Sequence, residues 1–226
     1  IEHPDVARML MTMKALTQGA RAICYSCAEA LDMARVTEGG EAKAWSERAS
    51  LITPIAKAFA TDIGMEVASL GVQVHGGMGF IEETGAARLL RDARIAPIYE
   101  GTNGIQAIDL VMRKLPLSGG ATVAALIADF TADADAMRAS NAPAFEGVAD
   151  RLDGAIADLE SSTSYMQSAL ADGRQTDALS GATPYLRLFG LTATTAMLAR
   201  GALADMDAPE AAGRAALVLS LIHISE

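Results

Sequence analysis

Apolar side chains recur along the chain at spacings of three and four, the period of an amphipathic helix, and strand signals are almost absent. Val6, Met9, Leu10, Met13, Leu16, Ala20, Ile23, Cys24, Cys27 and Leu31 form one such stripe. It predicts a long helix from near Asp5 to just before Gly39-Gly40. Residues 41–52 are polar and weakly helical. Thr53-Pro54 then has the form of an N-cap followed by proline at the first helical position. Ile55, Phe59, Ile63, Val67, Leu70 and Val74 mark a second helix behind it, roughly 30 Å long.

Gly76, Gly77 and Gly79 end that helix and begin a loop. Thr84 is placed to cap a short helix through Ile95, stopped by Pro97. Beyond Gly101, Thr102 or Asn103 can cap a helix carrying Ile105, Ile108, Val111, Met112 and Leu115, and Asn103 with Gln106 resembles a capping box. Pro116, Ser118, Gly119 and Gly120 form a candidate linker. Four further helices follow. Val123, Leu126, Ile127, Phe130 and Met137 mark the first; Phe145, Val148, Leu152, Ile156, Leu159, Met166 and Leu170 mark the second. Leu179, Leu186, Phe189, Met197 and Leu203 mark the third, and the last starts at Asp207-Ala208-Pro209. The expected fold class is all-α, in two helical halves at residues 1–116 and 117–226. Residues 220–226 fit the preceding alanine-rich helix poorly and read as a non-native tail.

Composition narrows the function classes. Hydrophobic residues make up 51% of the 226, enough for a substantial core, and aromatics 4%. The formal net charge of -10 offers no basic excess to neutralise phosphates, so nucleic acid is not an expected partner. No apolar run reaches the roughly 18–20 residues that span a bilayer. Cys24 and Cys27 read as small buried thiols in a reducing compartment rather than a disulfide. The three histidines are scattered, with no carboxylates at ligand spacing, so no metal is expected. The chain opens on Ile1 rather than Met and is expected to be part of a longer one, and no signal peptide is expected.

One stretch stands apart: Ile95-Ala-Pro-Ile-Tyr-Glu-Gly-Thr-Asn-Gly-Ile-Gln106. Glu100 is its lone side chain charged at neutral pH, at a break between two helices, with Gly101 allowing close approach of another molecule. A carboxylate held among Pro97, Ile98 and Tyr99 would lose solvation and become more basic, which suits a general base for a weakly acidic C–H. The helix start beyond it offers free N–H groups to a polar or anionic ligand. A solvent-facing Glu beside a helix start is the alternative.

Four blocks in order carry a family resemblance: Ala56-Lys-Ala-Phe-Ala-Thr-Asp62, Val72-Gln-Val-His-Gly-Gly-Met-Gly-Phe80, Leu90-Arg-Asp-Ala-Arg-Ile95 and Ile98-Tyr-Glu-Gly-Thr-Asn-Gly-Ile-Gln106. Together they resemble the C-terminal helical domain of flavin-dependent acyl-CoA dehydrogenases. The resemblance extends less specifically over residues 1–115. Glu2-His-Pro-Asp-Val6, the Asn103-Gly104 pair and the helical extension look most like the 3-methylmercaptopropionyl-CoA dehydrogenase group.

That resemblance implies FAD as cofactor, an acyl-CoA substrate and Glu100 as the base that takes the substrate's α-proton while a β-hydride leaves to the flavin. It implies that Gln73 and Gly77 contact the FAD of a neighbouring subunit and that Thr102 lies beside the flavin diphosphate. Asn103 stands in for a side chain missing at Gly104, and Tyr99 and Gly101 line the thioester pocket. Arg91 and Asp92 are expected to form an ion pair closing the bundle. Electron-transfer flavoprotein is the expected acceptor, and the enzyme is expected to be a homo-oligomer in a bacterial cytoplasm. The first helix of the four-helix bundle and the two domains that complete the site are expected upstream, so the segment alone should neither hold FAD nor turn over substrate. A non-catalytic helical assembly module and an acyl-CoA oxidase-like enzyme are the alternatives.

Overall fold

The computed structural model describes residues 3–145, 147–204 and 217–218. These residues are helical throughout, with no strand among them. Helix α1 (Pro4–Val36) starts with proline at its first turn and Asp5 beside its positive end. It stops at Thr37, whose N–H and Oγ1 both donate to the Met33 carbonyl. Two residues later α2 (Gly39–Val74) begins and runs back along α1, so that Cys27 lies against Ala49 and Thr53 while Gly71 lies against Met13. Leu16 and Ile23 of the expected face are fully buried, as are Ala15 and Ala30 outside it, whereas Leu31 and Cys24 of that face are exposed. Cys24 is therefore not the buried thiol expected, although partial desolvation and the neighbouring Cys27 raise its pKa.

Thr53 is not an N-cap. Helix α2 continues through Pro54, and Thr53 Oγ1 turns back to donate to the Ala49 carbonyl at 2.7 Å. Interior proline costs about 3 kcal/mol. Burial of Leu51 and Ile52 before it and of Ile55 and Phe59 after it, each worth about 1.5–3 kcal/mol, outweighs that cost.

A short helix α3 (Gly77–Phe80) and a single turn at Glu82–Thr84 lead to α4 (Ala86–Ala93). Thr84 does not cap α4, because left-handed Gly85 (φ 83°) occupies the cap position and holds the turn by donating to the Glu82 carbonyl. Arg91 and Asp92 do not pair with each other. Arg91 reaches Glu82, Asp92 pairs with Arg88, and all four lie on the exposed surface. Helix α5 (Asn103–Asp109) runs into a wider π-type turn, Leu110–Lys114, and a tight turn at Leu117–Gly120 reverses the chain. Beyond it stand α6 (Ala121–Ala139), α7 (Val148–Ala171), the short α8 (Gln175–Ser180) and α9 (Ala182–Ala204). The helix expected from Asp207 and the tail at 220–226 lie outside the described residues.

Helix α9 is the central strut. It packs against α1, α2 and α5 on one side and α6 and α7 on the other, so buried residues from Leu16 to Ala202 join in one core. Gly190 lets α9 rest directly on the ring of Phe59 in α2. Phe189 sits edge-on to both Phe130 and Tyr185, at 6.4 and 6.0 Å between ring centroids. Polar ties flank these contacts: Arg187 to Glu66, Arg48 to Asp129, and Arg200 in two parallel hydrogen bonds to nearly buried Asp133. Among the described residues no single helix is long and apolar enough to cross a membrane.

Candidate active site

Between α4 and α5 the chain passes through a strained turn. Glu100 has φ of 51° and Gly101 φ of 76°, so two successive residues lie in the left-handed region. Gly adopts that conformation freely, but for Glu it costs about 1–2 kcal/mol and must be imposed by its surroundings. The imposing contacts are visible. Asn103 N–H and Thr102 Oγ1 both donate to the Pro97 carbonyl, at 3.0 and 3.1 Å, drawing the loop closed. Gln106 Nε2 approaches the Glu100 and Gly101 carbonyls at 3.4 Å each, and Lys57 Nζ of α2 donates to the Gly101 carbonyl at 3.0 Å.

Asn103 and Gln106 do not form the expected capping box. The Asn103 side chain turns inward to α2, where its Nδ2 donates to Asp62 Oδ1 (2.8 Å), Thr61 Oγ1 (2.9 Å) and the Ala58 carbonyl (3.0 Å). Its Oδ1 accepts from Lys57 Nζ at 2.8 Å. Half-buried polar groups of α2 thus take the amide that a cap would have used. The same commitment leaves Asn103 little capacity to meet a ligand. Lys57, Thr61 and Asp62 belong to the second-helix block that carries the family resemblance, yet sequence reasoning gave them no role. Their 57/61/62 spacing on one helix face, in an otherwise apolar stretch, was the available signal.

Tyr99, Glu100, Gly101, Thr102 and Asn103 are brought together. Gln73 and Gly77 are not: both are exposed, Gly77 at the start of α3 and Gln73 near the end of α2, about 20 Å along that helix from the Asn103 cluster. The Glu100 side chain is exposed in this chain, not enclosed among apolar groups, and this corrects the expectation of a desolvated carboxylate. The physical reason is that Ile98 (49% exposed) and Tyr99 (52%) turn outward beside it. Ile95 and Ile105, in the same segment of chain, are likewise more than half exposed. Among the described residues the N–H groups of Glu100, Gly101 and Thr102 have no acceptor. Clefts of about 430 to 580 Å³ open elsewhere, beside Trp45, beside Cys24, between α6 and α7, and beside Pro143.

The described residues thus form an all-helical fold in which one interhelical turn carries an exposed carboxylate and free N–H groups. A family model described as "Acyl-CoA dehydrogenase, C-terminal domain" matches residues 1–115, and one described as "Acetyl-CoA dehydrogenase C-terminal like" matches residues 123–219. The chain belongs to the acyl-CoA dehydrogenase family.

Over 207 residues it is 44% identical to 3-methylmercaptopropionyl-CoA dehydrogenase of Ruegeria pomeroyi, covering 90% of this chain and 34% of that protein. It is 38% identical over 121 residues to a butyryl-CoA dehydrogenase of Syntrophomonas wolfei, covering 53% and 20%. The crystal structure of Caenorhabditis elegans ACDH-11 in complex with C11-CoA shares the fold, with a TM-score of 0.77 at 19% identity over 96% of this chain and 35% of that one. The chain thus spans about a third or less of the length of these relatives.

Proposed function

We propose that the chain is the C-terminal helical part of an FAD-dependent acyl-CoA dehydrogenase and that Glu100 is its catalytic base. The observation that carries this reading is the Glu100–Gly101 turn itself. Strain at a non-glycine residue persists only where the surroundings over-determine it, and such strain gathers at ligand sites. The turn combines a carboxylate, three unpaired N–H donors and exposed apolar side chains, which suits one edge of a site for a polar thioester with an acyl tail. That the relatives are named acyl-CoA dehydrogenases and that ACDH-11 was crystallised with C11-CoA support an acyl-CoA as the ligand.

On this reading the Glu100 carboxylate takes the proton from the α carbon of the thioester. The pair of electrons left behind forms the α–β double bond as hydride leaves the β carbon, and the product is a 2-enoyl-CoA. The Glu100 N–H donates to the thioester carbonyl, stabilising negative charge that develops on its oxygen and acidifying the α C–H. Base catalysis is worth roughly 10²–10⁴-fold, so positioning and carbonyl polarisation carry the larger share of the acceleration. FAD, when bound, supplies the hydride acceptor. Thr102 would lie against it in the same subunit, and Gln73 and Gly77 against that of a neighbour, in keeping with the separation of Gln73 along α2. Tyr99 and Gly101 line the thioester pocket, whereas the inward-turned Asn103 supports the turn and does not contact FAD.

Covering of Glu100 and of the exposed Ile98, Tyr99 and Ile105 side chains comes, in this reading, from protein beyond the described residues. Homo-oligomer formation and electron-transfer flavoprotein as acceptor belong to the same proposal. The test is anaerobic reduction of the full-length flavoprotein by a panel of acyl-CoAs. Glu100→Gln is expected to keep FAD and lose the bleaching of its absorbance; undiminished bleaching would remove Glu100 from the chemistry.

A further inference from the structure

We infer that Lys57 is a positioning residue for the Glu100 turn: by bridging the Gly101 carbonyl and the Asn103 amide it holds the base and the adjoining N–H donors in place. The inference rests on the proposed role of Glu100. Among the described residues, the Lys57 ammonium makes the only side-chain hydrogen bond from α2 to the main chain of the turn, at 3.0 Å to the Gly101 carbonyl. Its second bond, 2.8 Å to Asn103 Oδ1, ties the same ammonium to the first residue of α5. Asn103 is itself held by the Ala58 carbonyl, Thr61 and Asp62, so Lys57 joins a rigid part of α2 to the two residues of the chain that are held left-handed between α4 and α5.

Two physical consequences follow from that position. Glu100 relaxes out of the left-handed region unless it is held, and the carbonyl of the next residue, Gly101, is the main-chain group of the turn that an α2 side chain reaches. The carbonyl also belongs to the peptide whose N–H is that of Thr102. A cationic donor on its oxygen polarises the peptide and strengthens that free N–H as a donor to a ligand. Lys57 is half-buried on a stretch of α2 whose other faces bury Ile55, Ala56, Ala58 and Phe59. Fixing a long, flexible side chain there is unfavourable unless both acceptors are met. A role limited to stabilising the α2–α5 contact would need only the Asn103 bonds to Ala58, Thr61 and Asp62.

The experiment compares Lys57→Met and Lys57→Arg with wild type in the full-length flavoprotein, with turnover normalised to bound flavin and melting temperature recorded alongside. Lys57→Met is expected to lower kcat by about 10–100-fold with KM within about threefold, since a misplacement of about 1 Å costs on the order of 10²-fold. Lys57→Arg keeps the charge and can reach both acceptors, and is expected to return kcat to within about threefold of wild type. If Lys57→Met does not fold, Lys57→Gln, with one amide to share between two acceptors, is expected to lower kcat in the same way. A variant that loses melting temperature while keeping wild-type kcat per flavin would overturn the inference and leave Lys57 as a structural tie. Glu100→Gln run in parallel separates the two failures. Lost turnover there with wild-type kcat in Lys57→Met removes the role of Lys57 alone, whereas full turnover in Glu100→Gln removes the reading beneath it.

Discussion

The contact between Gly190 and Phe59 fixes how α9 sits on α2, and a single methyl group tests it. A Cβ at Gly190 would lie 2.4 Å from Phe59 Cδ2 and 2.5 Å from Cγ, more than 1 Å inside the usual carbon–carbon contact of about 3.5–4.0 Å. The ring cannot yield easily, because Phe59 is 1% exposed and sits inside the main core. Overpacking of this kind costs typically 1–3 kcal/mol, and the damage here is placed at the upper end. Against it, replacing an interior helical glycine by alanine recovers about 1 kcal/mol of helix propensity. Gly190→Ala is therefore expected to destabilise by about 2 kcal/mol net, a fall of roughly 4–8 °C in melting temperature for a protein of this size. Gly154→Ala is the internal control: it stands on the exposed face of α7 with nothing within 4 Å, and is expected to gain about 1 kcal/mol. Thermal unfolding followed by helical circular dichroism measures both. Equal stabilisation by the two substitutions would refute the close approach of α9 to α2.

Other consequences are as direct. Thr163→Val is expected to cost more than Tyr185→Phe in urea unfolding. The first strands the buried Tyr185 hydroxyl, at about 1–3 kcal/mol, while the second removes a donor and leaves Thr163 bonded to the Leu159 carbonyl, at about 1 kcal/mol. Burial likewise pushes the Tyr185 hydroxyl well above the ordinary tyrosine pKa. Glu47 accepts hydrogen bonds from Thr122 and Ser118 and faces Lys43, which hold its pKa below that of an ordinary carboxylate. Its contribution is thus present above the ordinary carboxylate range and is lost as pH falls through the lowered value. A melting-temperature gap between wild type and Glu47→Gln at pH 6 should close on acidification, and a gap that widens would contradict the assignment. Asp133→Ala removes both hydrogen bonds from Arg200 and is expected to cost about 1–2 kcal/mol, reduced from a fully buried pair because Arg200 is half exposed.

The helices were legible where their own periodicity decided them. Helices α1, α6 and α7 appear close to where their stripes of Leu, Ile, Val and Met predict, because a helix that buries one face writes that face at intervals of three and four. Local signals misled where distant contacts outvoted them. Thr53-Pro54 has the chemistry of a helix start, but burial on both sides carries α2 through it. Asn103 and Gln106 have the spacing of a capping box, yet α2 offers the Asn103 amide better partners. The position of Glu100 between two helices was legible from its neighbours Pro97 and Gly101. Its exposure was not, since burial of one carboxylate depends on surfaces far away in the chain. Lys57 escaped notice for a related reason: forty-four residues separate it from Gly101, and only the fold brings them to 3.0 Å.

The central claim is that the Glu100 carboxylate takes a proton from the carbon next to a thioester, and exchange of that hydrogen with solvent measures the step without waiting for oxidation. In deuterium oxide, the full-length wild-type protein should place deuterium at the α carbon of an acyl-CoA that bleaches its flavin, while Glu100→Gln with the same flavin content should place none above the uncatalysed rate. Exchange at the wild-type rate in Glu100→Gln would contradict the account and send the search for the base to another residue.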